Sequence, residues 1–364
     1  AERDAALPPA HAGPRPSGGV GGTRAGVKCL HAHYAWYLAG GPDPVGEWVA
    51  RQLDPVVNDA PSAAIDCGTN STRLLVAYPH GPVLERIQRI TRLGQGVDQT
   101  RRLAPEAIDR TVAVLGDFKQ VMDRHHVKRV RMTATSAARD AANRDDFFAA
   151  AEAAVGIAPE LLDGETEGRL SFLGATSDLD AATGPWLIVD VGGGSTELVV
   201  GPGPAPGSDG PLAVRSLDVG CVRITERFLV SDPPPPAQLE AGRKFAAGLI
   251  TKAKETEPAF KQGCTLVGLA GTVSCLASVD QRLLVYDRER VHHHVLTFDR
   301  VRELTSYLAS MPAAERRDVP GMEAERADVI VGGAVVLAEV MRGFGFSECL
   351  TSEADILDGL ILSA

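Results

Sequence analysis

The sequence predicts an α/β protein of two similar domains around a central cleft. Three observations predict it. First, Trp186–Val191 is an apolar run carrying Asp190; it passes through Gly192, Gly193, Gly194, Ser195 and Thr196 and returns as Glu197–Val200, which reads as strand, glycine turn, strand. Second, Ala64–Val76 repeats the pattern without a gap: Asp66 meets Asp190, Gly68 meets Gly192, Ser71 meets Ser195 and Leu74 meets Leu198. The offset, 190 − 66 = 124 residues, is about one domain. Third, helical periodicities alternate with further apolar runs after each hairpin.

The turns carry the chemistry. Glycine lets the chain adopt positive φ and lets an anion approach the main chain. Successive N–H groups there form a concave anion nest. Gly68, Thr69, Asn70 and Ser71 form one candidate phosphate cradle, and Gly192, Gly193, Gly194, Ser195 and Thr196 the other. Asp66, Asp190 and Glu197 flank them and would repel a phosphate unless a cation sits between. Hard oxygen ligands beside phosphate point to Mg²⁺. The plain alternative for one such hairpin is an ordinary glycine-rich turn. Its repetition argues for two turns that share one polyanion.

The paired hairpins resemble the phosphate loops of the actin-like ATPase superfamily. Asp66-Cys-Gly-Thr-Asn-Ser71 and Asp190-Val-Gly-Gly-Gly-Ser-Thr-Glu197 are similar to those of the exopolyphosphatase / guanosine pentaphosphate phosphohydrolase (Ppx/GppA) family. The resemblance runs from about Ala63 to the C-terminus. It implies two actin-like (ribonuclease H-like) domains, the first from 62–172 plus 348–364 and the second from 173–347. It also implies Mg²⁺ and, as substrate, polyphosphate or pppGpp.

In chain order, residues 1–61 are rich in proline and glycine and read as a linker. A short helix is expected at 27–39. Residues 1–57 resemble the tail of a small uncharacterised domain family, as in a fused or truncated unit. Cys29, His31 and His33 would diverge on a helix, so no metal site is expected there. The first hairpin ends near Pro79. Val83–Thr91 is a strand bearing Arg86 and Arg89, and Arg89 or Arg92 is a candidate to neutralise phosphate oxygens. A helix starts at Pro105, and Ile108, Val112, Leu115, Phe118 and Met122 keep its rhythm. Val127–Thr133 is a strand. The next turn, Thr135 to Asn143, resembles the family's Thr-x-x-x-Arg-x-Ala-x-Asn segment and makes Arg139 a candidate catalytic cation. The alternative is a surface arginine.

Gly164-Glu-Thr-Glu-Gly-Arg169 resembles the family's Gly-x-Glu-Glu-Ala-Arg, with Gly168 where the family has alanine. The resemblance makes Glu167 the general base. The role is chemically apt, since water attacking a phosphoanhydride must lose a proton. The alternative is acids matched to a helix N-terminus. A loop follows the central hairpin, then a strand at 212–217 and a Gly220-Cys-Val222 turn into a helix. A helix is expected at 238–254. Thr265–Val273 resembles the third glycine loop of the superfamily, adding Gly271 and Thr272 as substrate contacts. His292, His293 and His294 stand in a row, and their side chains are expected to diverge rather than share a metal. Helices are expected at 296–311 and 325–340. Ser352–Leu360 resembles the family's closing segment, a helix that crosses back to the first domain.

Composition sets bounds. The chain has 364 residues and a net charge of 37 − 47 = −10, so positive charge for an anionic substrate must be gathered locally. The acidity argues against nucleic acid as a partner. No apolar run is long enough to span a bilayer. Six scattered cysteines fit reduced thiols, hence a cytoplasmic setting. A homodimer stays open. So do two other classes: an actin-like sugar kinase or ATPase, and a non-catalytic pppGpp or phosphate sensor.

Overall fold

The computed structural model describes residues 60–202 and 211–363. The linker-like stretch up to residue 59, the helix expected at 27–39, Cys29, His31, His33 and most of the loop after Gly201 lie outside the described residues.

Two sheets form. The first holds β1 (Ser62–Cys67), β2 (Ser71–Ala77), β3 (Val83–Ile90), β4 (Arg129–Ala134) and β5 (Glu160–Leu161) in the order β3-β2-β1-β4-β5. The second holds β6 (Trp186–Val191), β7 (Thr196–Gly201), β8 (Ala213–Leu217), β9 (Thr265–Leu269), β10 (Val295–Thr297) and β11 (Glu348–Thr351), in the order β10-β11-β9-β6-β7-β8. Without β10, the second order repeats the first. In each, an antiparallel hairpin pairs with a third antiparallel strand on one side and a parallel strand on the other. Strands β1 and β6 are central and buried along their whole length, which is why both read as continuous apolar runs. Strand β3 is an edge, partly exposed and charged.

In the first half, α1 (Val97–Thr100) precedes α2 (Pro105–Arg124), and α3 (Ser136–Asp140) precedes α4 (Arg144–Val155). Pro105 sits at the start of α2, where its missing N–H costs nothing. Leu115, Phe118, Met122 and Phe147 from α2 and α4 close a core with Ile65, Leu74 and Met132. The second half holds α6 (Cys221–Phe228), α7 (Pro236–Thr256), α8 (Ala270–Asp280), α9 (Phe298–Ala309) and α10 (Ile330–Phe344).

Helix α5 (Gly164–Ala175) joins the halves. Leu170 packs with Ala64, Leu75 and Leu360 in the first half, while Phe172 and Ala175 pack with Trp186, Ile188 and Val199 in the second. Glycines permit this. A Cβ on Gly168 would lie 2.6 Å from Val214 Cγ1 and 3.0 Å from Val199 Cγ2, so this close packing suits glycine. A Cβ on Gly174 would lie 1.8 Å from the Asp355 carbonyl oxygen, and one on Gly359 would lie 2.0 Å from that of Leu170. Helices α5 and α11 (Ile356–Leu362) therefore touch backbone to backbone.

Three boundaries differ from expectation. Residues 348–351, grouped by the sequence with the first domain, form β11 and pair with β9 in the second sheet. The segment at 296 begins as β10, antiparallel to β11, before α9 starts at Phe298. The helix expected from 325 begins at Ile330, after a 3-10 turn at Ala324–Arg326.

Candidate active site

Both glycine turns close with the same hydrogen bond. Gly68 N–H donates to the Ser71 carbonyl at 3.0 Å, and Gly192 N–H to the Ser195 carbonyl at 3.1 Å. Behind each turn, N–H donors tie back the carbonyls. Gly94 N–H holds the Thr69 oxygen at 2.8 Å, and Arg92 N–H holds that of Asn70 at 2.9 Å. In the second turn, Cys221 N–H holds the Gly192 oxygen and Val222 N–H that of Gly193, both at 2.9 Å. Arg223 Nε holds the Gly194 oxygen at 2.7 Å. A trans peptide points its C=O and the next N–H in opposite directions. The ties therefore aim the N–H groups of Asn70, Gly193, Gly194 and Ser195 the other way, and these residues line the cleft.

The turns meet. A Cβ on Gly193 would come within 2.8 Å of Thr69 Cβ, and one on Gly194 within 2.5 Å of Ser136 Oγ. Between the turns lies a small cleft of about 50 Å³, lined also by Asp66, Arg73, Glu167, Asp190, Gly271 and Arg326. Two of its polar atoms are buried without a partner among the described residues: Asn70 Nδ2, a donor, and Asp66 Oδ1, an acceptor. An orphaned donor invites an anion and an orphaned acceptor a cation. A site for phosphate with a divalent cation has both.

The carboxylates support the same conclusion. Burial raises Asp66 above the usual carboxylate range, with Arg73 opposing. Burial lifts Asp190 to about 6 against the pull of Arg73 and the Ser171 hydroxyl, which donates to its Oδ2 at 2.9 Å. Glu167 is lifted to about 7, first by burial, against Arg139 and with Asp66 and Asp190 adding to the rise. Buried acids that push one another up are relieved by a hard cation. Asp66 and Asp190 therefore fit Mg²⁺ as oxygen donors.

Glu167 stands in the first turn of α5, whose N-cap Asp163 accepts from Thr166 N–H at 2.7 Å. Its Oε2 accepts from Arg139 Nη1 at 2.6 Å, and the same nitrogen reaches the Leu162 carbonyl at 2.9 Å. Arg139 Nη2 lies 3.4 Å from Ser195 Oγ. Arg139 thus links Glu167 and the second turn without itself lining the cleft.

Other candidates sit elsewhere. Thr196 is fully buried and donates to the Val219 carbonyl at 2.6 Å, a bond that braces the turn. Glu197 accepts from Ser216 at 2.7 Å and is buried outside the cleft lining, so it is not placed as a direct metal ligand. Thr272 packs against Gly333, away from the lining, whereas Gly271 stays in it. Arg92 pairs with Asp328 at 3.0 Å and Arg89 bonds its neighbour's carbonyl; neither lines the cleft.

Two cleft cations escape motif reading. Arg73 stands opposite Asp66 in the hairpin register and bonds it at 2.6 Å and Asp355 at 2.5 Å. The repeat held the signal: at the same offset Arg73 aligns with Glu197, the register partner of Asp190. Arg326 is 4% exposed and lies flat on Gly271, where a Cβ would be 2.1 Å from its Cζ. Its Nε bonds Glu323, and its Nη1 and Nη2 have no hydrogen-bond partner among the described residues. No local pattern marks Arg326.

The histidine run overturns one expectation. His292 and His293 do not diverge; their rings stack 3.8 Å apart beside Asp178. His293 takes positive φ, 61°, which brings adjacent rings together. His292 Nδ1 accepts from Glu353 N–H at 3.0 Å, so in the neutral ring its proton sits on Nε2, 2.8 Å from Asp178. That nitrogen has no lone pair left for a metal.

A second, larger cavity of about 670 Å³ shares Arg73, Ala270 and Gly271 with the cleft. It is lined by Arg86 and Arg288 and by Leu283, Val319 and Met322.

Two sheets of repeated strand order, whose glycine turns meet at one cleft built for phosphate, define a two-lobed α/β phosphatase-type protein. Residues 76–364 match the model of the Ppx/GppA phosphatase family, and the chain belongs to that family. It is 43% identical over 317 residues to "Exopolyphosphatase 2" of Mycobacterium tuberculosis, covering 83% of this chain and 97% of the relative. It is 31% identical to a "Bifunctional 3-dehydroquinate synthase/phosphatase" of Fusobacterium nucleatum, covering 86% of this chain and 48% of that one. Among solved structures, an exopolyphosphatase-like protein matches at 36% identity and TM-score 0.77, over 83% of this chain and 98% of that one. The Aquifex aeolicus family member matches at 31% and 0.68, over 83% and 96%. Residues 10–51 match a protein domain of unknown function, DUF501, in keeping with the resemblance of the N-terminal stretch. No helix among the described residues is long and apolar enough to cross a membrane.

Proposed function

We propose that this chain releases orthophosphate from the ends of inorganic polyphosphate, in a cytoplasmic setting. The observation that carries this reading is a carboxylate lifted to about 7, Glu167, in a cleft where two N–H nests meet. A base poised near neutrality suits proton removal from water at pH 7.

The turn N–H groups and Asn70 Nδ2 hold the terminal phosphate oxygens. Arg326 meets them from the second half with its Nη atoms, which have no hydrogen-bond partner among the described residues. Glu167 accepts the proton of the attacking water as its oxygen bonds to phosphorus; the bond from phosphorus to the bridging oxygen breaks, and the shortened chain leaves with that oxygen. No protein nucleophile is needed, since positioning and charge stabilise a transferring phosphoryl group. Mg²⁺ held by Asp66 and Asp190, directly or through water, would supply further positive charge. Arg139 keeps Glu167 oriented.

The larger cavity favours a second substrate of the same site. Its apolar lining by Leu283, Val319 and Met322, beside Arg86 and Arg288, suits the nucleoside end of pppGpp better than more phosphate. Phosphate release from polyphosphates of graded length and from pppGpp, with and without Mg²⁺, tests both. Release from neither, by folded protein with saturating Mg²⁺, would favour a sensor; conversion of ATP to ADP only with a sugar present, the phosphoryl group passing to the sugar without free orthophosphate, would favour a kinase.

A further inference from the structure

Arg223 is 5% exposed and makes three charged or polar contacts that belong to different parts of the active site. Its Nε donates to the Gly194 carbonyl at 2.7 Å. Its Nη1 pairs with Asp98 of α1 at 2.5 Å, and its Nη2 with Asp140, beside Arg139, at 2.6 Å. Asp98 and Asp140 belong to the first half; Arg223 and Gly194 belong to the second. Arg227 also bonds Asp98 but reaches nothing in the turn.

The peptide plane gives this arrangement a consequence. With the Gly194 oxygen held by Nε, the Ser195 N–H must point the opposite way, towards the cleft. The guanidinium is planar and rigid, so its three contacts share one orientation. If the first half swings away, Asp98 and Asp140 leave, and the fork that holds Gly194 loses two of its three anchors.

We propose that Arg223 is a positioning residue that makes the second turn's anion-binding geometry depend on closure of the two halves. It touches neither substrate nor metal. It aims the Ser195 N–H and does so fully only in the closed arrangement. The proposal rests on the phosphohydrolase reading above.

The test compares wild type, Arg223→Gln, Arg227→Gln and Asp140→Asn in phosphate release from polyphosphate, with inhibition by orthovanadate as a mimic of the transferring group. Kinetics are normalised to folded protein by circular dichroism. Arg223→Gln is expected to lower kcat about 10–100-fold, less than the loss of a direct oxyanion donor. Vanadate binding should weaken by a similar factor, while KM changes less than about threefold. Arg227→Gln, which loses the Asp98 pair and the contact with the Phe245 ring but no tie to the turn, should keep kcat within about twofold. Asp140→Asn should fall between them, and it carries the test if Arg223→Gln does not fold. Wild-type kcat and vanadate affinity in folded Arg223→Gln, or in Asp140→Asn where that variant carries the test, would overturn the proposal. So would an equal loss in Arg227→Gln. A wild-type protein that releases no phosphate would defeat the phosphohydrolase reading itself.

Discussion

Glu167 Oε2 and Arg139 Nη1 lie 2.6 Å apart, and the same arginine also approaches Ser195 of the second turn at 3.4 Å. Glu167 comes from the helix that joins the halves, Arg139 from the first half and Ser195 from the second, so one guanidinium touches all three parts of the proposed site.

Replacing Glu167 by Gln should cut kcat by roughly 10²–10⁴-fold and spare folding, because the amide keeps the shape but cannot accept the proton. Burial lifts Glu167 to about 7, and only the carboxylate is active as a base. Wild-type kcat should therefore rise with pH through about 7, and the residual rate of Glu167→Gln should lack that rise. A stopped-pH series of phosphate release reads both.

Arg139→Gln removes a positive charge that pulls Glu167 down. The carboxyl then titrates higher, so the acid limb of kcat should move to higher pH. The rate on the plateau should also fall, about tenfold or more, because the base loses its anchor. An acid limb that stays in place would show that Arg139 does not set the charge state of the base.

Arg326→Met keeps the bulk against Gly271 and removes two nitrogen donors from the cleft lining. Hydrogen bonds from a charged group contribute about 1.5–3 kcal/mol each. Losing both should raise the Kd for polyphosphate about 10²–10⁴-fold, read by titration with Glu167→Gln as the inactive background. Unchanged affinity would place Arg326 outside the substrate contacts.

Gly174→Val tests the close helix crossing. Its Cβ would meet the Asp355 carbonyl carbon at 2.7 Å as well as the oxygen, so backbone must move. The loss should be about 1–3 kcal/mol or more. It should appear as a lower urea midpoint, with kcat reduced as Glu167, on the same helix, shifts. Gly116→Ala, inside α2 at a position with open space for a Cβ, is the control and should hold the midpoint or raise it, by up to about 1 kcal/mol of stability.

Much of this site was legible from residue order alone. The repeat at one-domain spacing placed both turns, Asp66 with Asp190 and Gly68 with Gly192, because a glycine turn between apolar strands is a local pattern. Helix α2 was legible for the same reason, through Pro105 and its apolar rhythm. What lay beyond reach depended on contacts distant in sequence. Arg326 enters the cleft only because Gly271 leaves room for its guanidinium, and the ties from Arg223 to Asp98 and Asp140 join segments 125 and 83 positions apart. Strand β11 joined the second sheet through pairing with β9 that no local pattern records. The His292–His293 stack turned on a single positive φ in the backbone. The sequence by itself determined which residues would turn, cradle and repel. The tertiary structure decided which carboxylates are buried together and which arginines face them, because desolvation and charge pairing act through space and not along the chain.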